Sequence, residues 1–313
     1  MLQTLFVTGP IYLVIALGFV AVRLDVLSKP DMRVLGTFVV NFALPALVFT
    51  ALTQRPIQEI LDAHYVLDYA AGSLIVLFVA FGWGRWKQGK SAPWSVLCGM
   101  GMSCSNSGFV GYPIAALVIG PATAAVALAL CMIVENLLMI PLILIIADSN
   151  AQGGESWTRV LLRSLRDVVR KPLILAIIAG IGVQLLHLSL FEPLTRTIGI
   201  LATSSTAVSL FVIGGSLVGL QMRGMRRDVS AIAAGKLVLH PVAVGSMVWL
   251  FPPASPELRE AAILFASMPM LGIYPILAQK YGLEGFCAAA LLLTTIASFV
   301  TINIVLGLLA SLS

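Results

Sequence analysis

Charge, proline and glycine cut this chain into a succession of apolar runs, each long enough to cross a bilayer, and that repetition constrains the fold more than any single motif. A hydrocarbon core about 30 Å thick takes a helix of roughly 20 residues. Within it every backbone polar group must be paired inside the protein, so the runs are read as helices. Their limits predict ten, over 4 to 22, 33 to 53, 65 to 83, 93 to 119, 122 to 146, 172 to 190, 197 to 221, 229 to 251, 259 to 280 and 283 to 310. Ten helices consume roughly 200 residues, which leaves a chain of 313 short connections and no separate extramembrane domain. Composition agrees, at 59% hydrophobic and 11% charged, against about 25% charged in an ordinary soluble domain. The first run has no charged segment ahead of it and is long enough to span, so a cleaved leader is not expected.

Lysine and arginine, summed on alternate sides of the ten runs, fall very unevenly. One side receives Arg23, Lys29, Arg33, Arg85, Lys87, Lys90, Arg159, Arg163, Arg166, Arg170, Lys171, Arg223, Arg226, Arg227 and Lys280, and the other only Arg55, Arg196 and Arg259. By the positive-inside rule both termini are expected outside and the longest connection, 148–171, in the cytoplasm. A plasma membrane, most simply a bacterial inner membrane, is the expected location. The net charge of +5 is therefore topology, since nucleic-acid binding needs basic residues clustered on a folded surface.

The central connection, with Asp148, Ser149, Asn150, Gly153 and Gly154, divides the chain into halves of five helices, 1–147 and 172–313. An odd number per half forces opposite orientations. The expected fold class is an all-α membrane protein of ten helices in two inverted five-helix repeats, with broken fourth and ninth helices. The interruptions are Gly111-Tyr112-Pro113-Ile114 and Gly272-Ile273-Tyr274-Pro275-Ile276, at matching places in the two halves. Paired breaks of this kind are the best sequence pointer to a transporter's binding site, although glycine and proline are commoner in membrane helices generally.

Around the first break, Ser103, Ser105, Asn106 and Ser107 gather polar groups at membrane depth. Proline frees a carbonyl and glycine permits unwound backbone, which survives there only when buried or lining a watery cavity. The half-helix after the break would aim its positive end at the site and favour an anion. The candidate substrate-binding residues are Ser105, Asn106, Ser107, Gly111 and Pro113 from the first break and Ser267, Gly272 and Pro275 from the second, where Pro269 also stands and the contribution is mainly backbone. Helix capping is the competing role for Asn106.

Three ionisable residues fall within the runs, Glu135, Lys236 and Asp68. An intramembrane charge costs about 2.5 to 3.5 kcal/mol on insertion scales and is a functional hypothesis by default. Glu135 is the deepest, roughly 20 Å along its helix at 1.5 Å per residue, with Asn136 beside it. It could accept a proton as its site closes, or hold a structural hydrogen bond. Lys236 could pair with an ion or attract an anion, or snorkel to the cytoplasmic surface. Asp68 is expected to face outer water. All four are candidate coupling residues.

Several patterns are set aside. Gly84-Arg85-Trp86-Lys87-Gln88-Gly89-Lys90-Ser91 fits the phosphate-binding GxxxxGK[ST] pattern, yet a membrane run precedes it and no nucleotide-binding sheet can follow. Trp83 and Trp86 suit an interfacial belt. His64, His187 and His240 lack metal spacing and are read as polar helix-end residues. Cys98, Cys104, Cys131 and Cys287 form no CxxC pair and are read as packing residues. No GxSxG, HExxH or twin-aspartate arrangement points to an enzyme. Gly215 and Gly219 are read as a small-residue pair that lets helices approach. No cofactor and no metal are expected.

Asn106, Gly111 and Pro113, then Gly272-Ile273-Tyr274-Pro275 followed by Ala278 and Lys280-Tyr281-Gly282, resemble the crossover segments of the auxin efflux carrier family. Asn41-Phe42-Ala43-Leu44-Pro45, the polar residues of the fifth run, and Lys236-Leu237 with Pro241 extend the resemblance over nearly the whole chain. It implies the fold shared with bile acid and sodium-proton carriers, in which the fourth and ninth helices break and cross. It also implies a scaffold of helices 1, 2, 6 and 7, a transport domain of helices 3–5 and 8–10, and elevator-like alternating access. Bacterial relatives are associated with malonate, malate and other small carboxylates, and plant relatives with auxin. By position, Asn106 and the backbone near Pro113 and Pro275 would hold the carboxylate, and Glu135 takes the place of a polar support-site residue. The plant branch has a proline before the crossover asparagine, where this chain has Ser105, and its long cytoplasmic loop shrinks here to 148–171.

The expected function is secondary transport of small organic anions, by proton symport or, as the alternative, with sodium or no coupling ion. A channel or a membrane sensor is the less favoured reading, since paired breaks are unlike a pore element repeated around an axis and no output domain is present. The expected partners are the anion, a proton or sodium ion and the lipid bilayer, with a homodimer as a candidate assembly and no nucleic acid.

Overall fold

The computed structural model describes residues 2–54, 62–149, 157–219, 226–253 and 255–312. Arg55, Asn150, Gly153, Gly154 and Arg223 of the expected connections lie outside the described residues. Among the described residues the chain is helical, and its β pairing is one antiparallel bridge between Ser105 and Met270. The helices are α1 (Leu2–Arg23), α2 (Lys29–Thr53), α3 (Ala63–Lys87), α4 (Ala92–Ser103), α5 (Tyr112–Val118), α6 (Pro121–Asp148), α7 (Trp157–Val169), α8 (Pro172–Leu185), α9 (Glu192–Ser216), α10 (Arg227–Leu250), α11 (Pro256–Ala266), α12 (Tyr274–Ala278) and α13 (Glu284–Leu312). Six of them, α2, α3, α6, α9, α10 and α13, are long and apolar enough to cross a membrane. Shorter apolar helices cover Gly9–Arg23, Ser107–Val118 and Pro172–Leu185.

Proline shapes these helices in a repeated way. One turn of α2, Val39–Ala43, is wound as a π-helix and ends two residues before Pro45. The same holds for Ser107–Gly111 before Pro113, for Val134–Met139 of α6 before Pro141 and for Gly235–Leu239 of α10 before Pro241. A proline cannot donate to the carbonyl four residues back and its ring crowds that carbonyl, so the preceding turn widens. Ser91 caps α4 by accepting the Trp94 N–H at 3.3 Å, and α3 precedes it. A helix cap thus accounts for the serine of the phosphate-loop pattern.

The central connection is not bare loop, for it contains the amphipathic helix α7. Arg159, Arg163 and Arg166 recur there at the three- and four-residue spacing of one helix face, and Arg170 follows directly after the helix end.

The chain divides into two units. The first comprises Met1–Asp62, Ser107–Leu130 and Val169–Gly219. Here α1 and α9 approach to backbone contact, because a Cβ on Gly18 would strike the Phe211 backbone and one on Gly214 that of Ile15. Gly215 packs closely against Met32 and Val22, but Gly219 lies beyond the helix end at φ +70° and is no partner in a packing pair.

The second unit comprises Ala63–Asn106, Cys131–Val168 and Leu220–Ser313. Its interior holds Tyr65, Tyr69, Leu77, Leu97, Phe265 and Tyr274, all fully buried. The Tyr274 hydroxyl donates to the Leu97 carbonyl at 2.9 Å and ties α12 to α4. At the far end, Lys280 Nζ and the Tyr281 hydroxyl reach Asp148 Oδ1 at 2.6 and 2.7 Å and fasten the end of α6.

Candidate functional site

The site is built where two helices stop. After α4 ends at Ser103, Cys104 turns extended (φ −104°, ψ 130°). Cys104–Asn106 then runs antiparallel to 269–271, with Asn106 N–H donating to the Pro269 carbonyl at 2.8 Å and Leu271 N–H to the Cys104 carbonyl at 3.2 Å. Each stretch satisfies the other's backbone, the condition for irregular chain at membrane depth. Proline suits position 269 because only its carbonyl is used.

Both breaks begin earlier than the sequence suggested. Gly111 has ordinary helical angles (φ −63°, ψ −54°), and Pro113 and Pro275 stand in the first turns of α5 and α12. Pro275 begins the half-helix α12, where a missing N–H costs little, whereas Pro113 lies inside the continuous helical stretch Ser107–Val118 behind its π-turn, and neither proline itself forms the gap. Ser107, Gly111 and Pro113 are buried in the first unit, while Ser105, Asn106, Ser267, Gly272 and Pro275 belong to the second.

At the crossing the two sides differ. Asn106 is partly exposed, and its carboxamide has no hydrogen-bond partner among the described residues. Gly272 is exposed beside it, and a Cβ there would lie 3.7 Å from Asn106 Nδ2. Ser267 is buried and its hydroxyl donates back to the Ile263 carbonyl at 2.7 Å, so it finishes α11.

Ser105 faces the buried side and joins the two charged residues. Its N–H donates to Glu135 Oε1 at 2.8 Å, and its Oγ accepts from Lys236 Nζ at 2.7 Å. The Tyr69 hydroxyl lies 3.1 Å from Ser105 Oγ and 3.4 Å from Glu135 Oε1. Lys236 also donates to the Ala266 carbonyl at 2.9 Å, placing a cation on the C-terminal end of α11, where the helix dipole favours it. His240, one turn along α10, sets Nδ1 2.6 Å from Lys236 Nζ and Nε2 2.9 Å from Ser73 Oγ. Its ring meets Tyr69 edge-on, with centroids 5.7 Å apart.

The acid and the amine both sit in π-turns. Glu135 and Asn136 lie in the widened turn of α6 and Lys236 in that of α10. A charge inside an apolar run was the sequence signal for Glu135 and Lys236; the proline a few residues beyond each marks the widened turn. Asn136 is buried and donates to the Met132 carbonyl at 2.9 Å, a local bond within its own helix.

Three readings are corrected. Lys236 does not snorkel, because it is wholly buried and its ammonium is held by Ser105 and Ala266. His240 is no helix-end residue, since it is equally buried within the Lys236 network. Asp68 does not face water, being 2% exposed in the interior of the second unit. Tyr69 and Ser73 were not anticipated, for hydroxyls in apolar helices carry no spacing signal. The four cysteines are buried and free, and no group of three metal-ligating side chains occurs among the described residues.

Comparisons with known proteins place the chain among membrane transporters. The family described as Membrane transport protein matches residues 8–306. A protein of Rhizobium meliloti (strain 1021), provisionally named a malonate transporter, is 29% identical over 303 residues, covering 96% of this chain and 94% of its own. The uncharacterized transporter YfdV of Escherichia coli (strain K12) is 23% identical over 298 residues, covering 93% and 92%. An uncharacterized transporter of Methanothermobacter thermautotrophicus is 24% identical over 299 residues, covering 93% and 94%. With the match running almost from end to end, the chain belongs to the Membrane transport protein family, the auxin efflux carrier-like carriers.

Proposed function

We propose that this membrane transport protein is a secondary carrier of small organic anions, with malonate-like carboxylates as its substrate class and a proton as its coupling ion. The observation that carries the reading is the unspent Asn106 carboxamide, held at the crossing of two broken segments directly beyond a buried acid and amine joined through Ser105. A neutral donor suits a carboxylate that must be bound and then released, whereas a fixed cation at the contact would hold it more tightly. The Rhizobium relative's name supports the substrate class.

The ten apolar runs and the matched breaks support two inverted repeats of five helices, with both termini outside, in a bacterial inner membrane. The division into units supports elevator-type alternating access. Helices α1, α2, α8 and α9 fall in the first unit, while α3, α4 and α10 to α13 fall in the second; α5 and residues 121–130 of α6 also fall in the first, where the expected division put them with the transport domain. The first reads as the scaffold and the second as the moving body that carries Asn106 and the acid–amine network. A homodimer through the scaffold is compatible with this division. The alternative, coupling to sodium or to no ion, rests on Lys236 already supplying a cation beside Glu135 through Ser105.

Uptake of labelled malonate into proteoliposomes, with and without an inward proton gradient, tests the proposal. Saturable uptake accelerated by the gradient is expected. Uptake driven only by sodium would transfer the reading to the alternative, and no uptake of malonate, malate or indole-acetate would overturn it.

A further inference from the structure

Lys236 and His240 raise a question of proton accounting that the substrate site leaves open. Their facing nitrogens are 2.6 Å apart in a fully buried setting, so one proton lies between two bases. With Lys236 as an ammonium, its three protons meet three acceptors, Ser105 Oγ at 2.7 Å, the Ala266 carbonyl at 2.9 Å and His240 Nδ1 at 2.6 Å. The imidazole then carries its proton on Nε2, directed at Ser73 Oγ 2.9 Å away.

Removal of one proton leaves an equally satisfied arrangement of the same heavy atoms. Lys236 becomes an amine that still donates to Ser105 and Ala266. The imidazole takes the other tautomer, its Nδ1–H directed at the amine lone pair and at the Ala266 carbonyl 3.1 Å away. Nε2 now accepts from the Ser73 hydroxyl, which rotates to donate. Burial normally penalises a change of protonation because it orphans a donor or acceptor. Here neither form orphans the lysine or histidine nitrogens.

We propose that the Lys236–His240 pair is the group that takes up and gives back the coupling proton. The proposal rests on the reading of the protein as a proton-coupled anion carrier and assigns the ion's place within it. Loaded, the pair is cationic and offsets the Glu135 carboxylate, leaving the site neutral when an anion arrives at Asn106. Unloaded, the site is left with the Glu135 charge and repels the anion. Anion and proton therefore enter and leave together. Ser105 transmits the state, since its Oγ touches the pair and the next residue is Asn106. The titratable and charged groups around the pair are Tyr69 on α3, with Tyr65 and Asp68 on the same helix, Glu135 and Cys131 on α6, and Cys104 at the break. Helix α11 presents its Ala266 carbonyl, with Glu257, Arg259 and Glu260 at its opposite end.

Two measurements on the full-length protein test this. The first is ¹⁵N NMR of the histidine side chains in nanodiscs across the pH range in which histidines titrate, with His240→Gln assigning the signal. A change of the His240 ring from the Nε2–H to the Nδ1–H form as pH rises is expected, and one unchanging tautomer would overturn the proposal. Where His240→Gln fails to insert, Ser73→Ala, which removes the Nε2 partner, assigns the signal in its place. The second is the steady-state accumulation of labelled malonate under an inward proton gradient. With the membrane potential clamped at zero by potassium and valinomycin, one proton per anion gives an accumulation ratio of about ten-fold per pH unit in wild type, and in His240→Gln the ratio should fall to about one. A His240→Gln carrier that accumulates malonate like wild type would also overturn it. Wild-type protein that takes up no malonate would refute the carrier reading, while the NMR experiment would still decide whether the pair exchanges a proton.

Discussion

The two broken segments pair with each other yet contribute different things. Cys104–Asn106 brings side chains, with Ser105 directed to the buried acid and amine and Asn106 to the accessible side. The second break brings mainly backbone, namely the carbonyls of Ala266 and Pro269 and the N–H of Leu271, with Met268 and Met270 as buried filling. In extended chain successive side chains point to opposite faces, so one Ser-Asn pair is enough to serve both sides of the crossing. On the proposed function, this difference assigns chemical selectivity to the first break and a framing role to the second.

That contrast can be broken most severely at Lys236, the cation both segments depend on. Lys236→Met removes the donor that Ser105 Oγ and the Ala266 carbonyl share in either protonation state and should cost about 1–3 kcal/mol for each buried group left unpaired. Little or no monodisperse protein is expected on size-exclusion chromatography, and a variant as heat-stable as wild type would contradict the buried network. Ser105→Ala removes the hydroxyl that accepts from Lys236 and should cost about 1–3 kcal/mol, read as a lower midpoint of thermal unfolding. An unchanged midpoint would mean that the first break is as much a backbone frame as the second. Gly272→Ala sharpens the comparison from the other side. Its new methyl would sit at ordinary contact distance, 3.7 Å from Asn106 Nδ2, so stability should change by less than about 0.5 kcal/mol. A large loss would show that the second break is packed against Asn106 more tightly than a mere frame requires.

Several helix limits were legible because bilayer thickness fixes the length of an apolar run, although the run expected over 197 to 221 forms Glu192–Ser216 and that over 172 to 190 stops at Leu185. The runs expected over 4 to 22 and 122 to 146 form Leu2–Arg23 and Pro121–Asp148. The breaks were legible as paired interruptions but were placed too late, because proline was read as the gap, whereas Pro113 loosens a turn inside a helix that already began at Ser107 and Pro275 stands in the first turn of α12. Glu135 was legible as a lone acid in apolar sequence. Its partners Ser105, Tyr69 and Lys236 come from other helices, and nothing in the local sequence links them. His240 and Asp68 failed for the same reason, since a polar residue read alone says nothing of the helix that will cover it. Helix α7 was missed because its apolar runs are too short to span, although its arginines keep helical spacing.

The central claim, that the first break holds the carboxylate, is tested most directly by malonate titration of purified wild type and Asn106→Ala with thermal unfolding as the readout. Binding to the folded state raises stability by RT ln(1 + [L]/Kd), so wild type should shift upward with malonate concentration. Loss of one neutral donor to a carboxylate should cost about 1–3 kcal/mol. Asn106→Ala should therefore keep its unliganded midpoint and need at least five-fold or so more malonate for the same shift. Superimposable titration curves for the two proteins would show that Asn106 does no more than finish a helix, and would contradict the account.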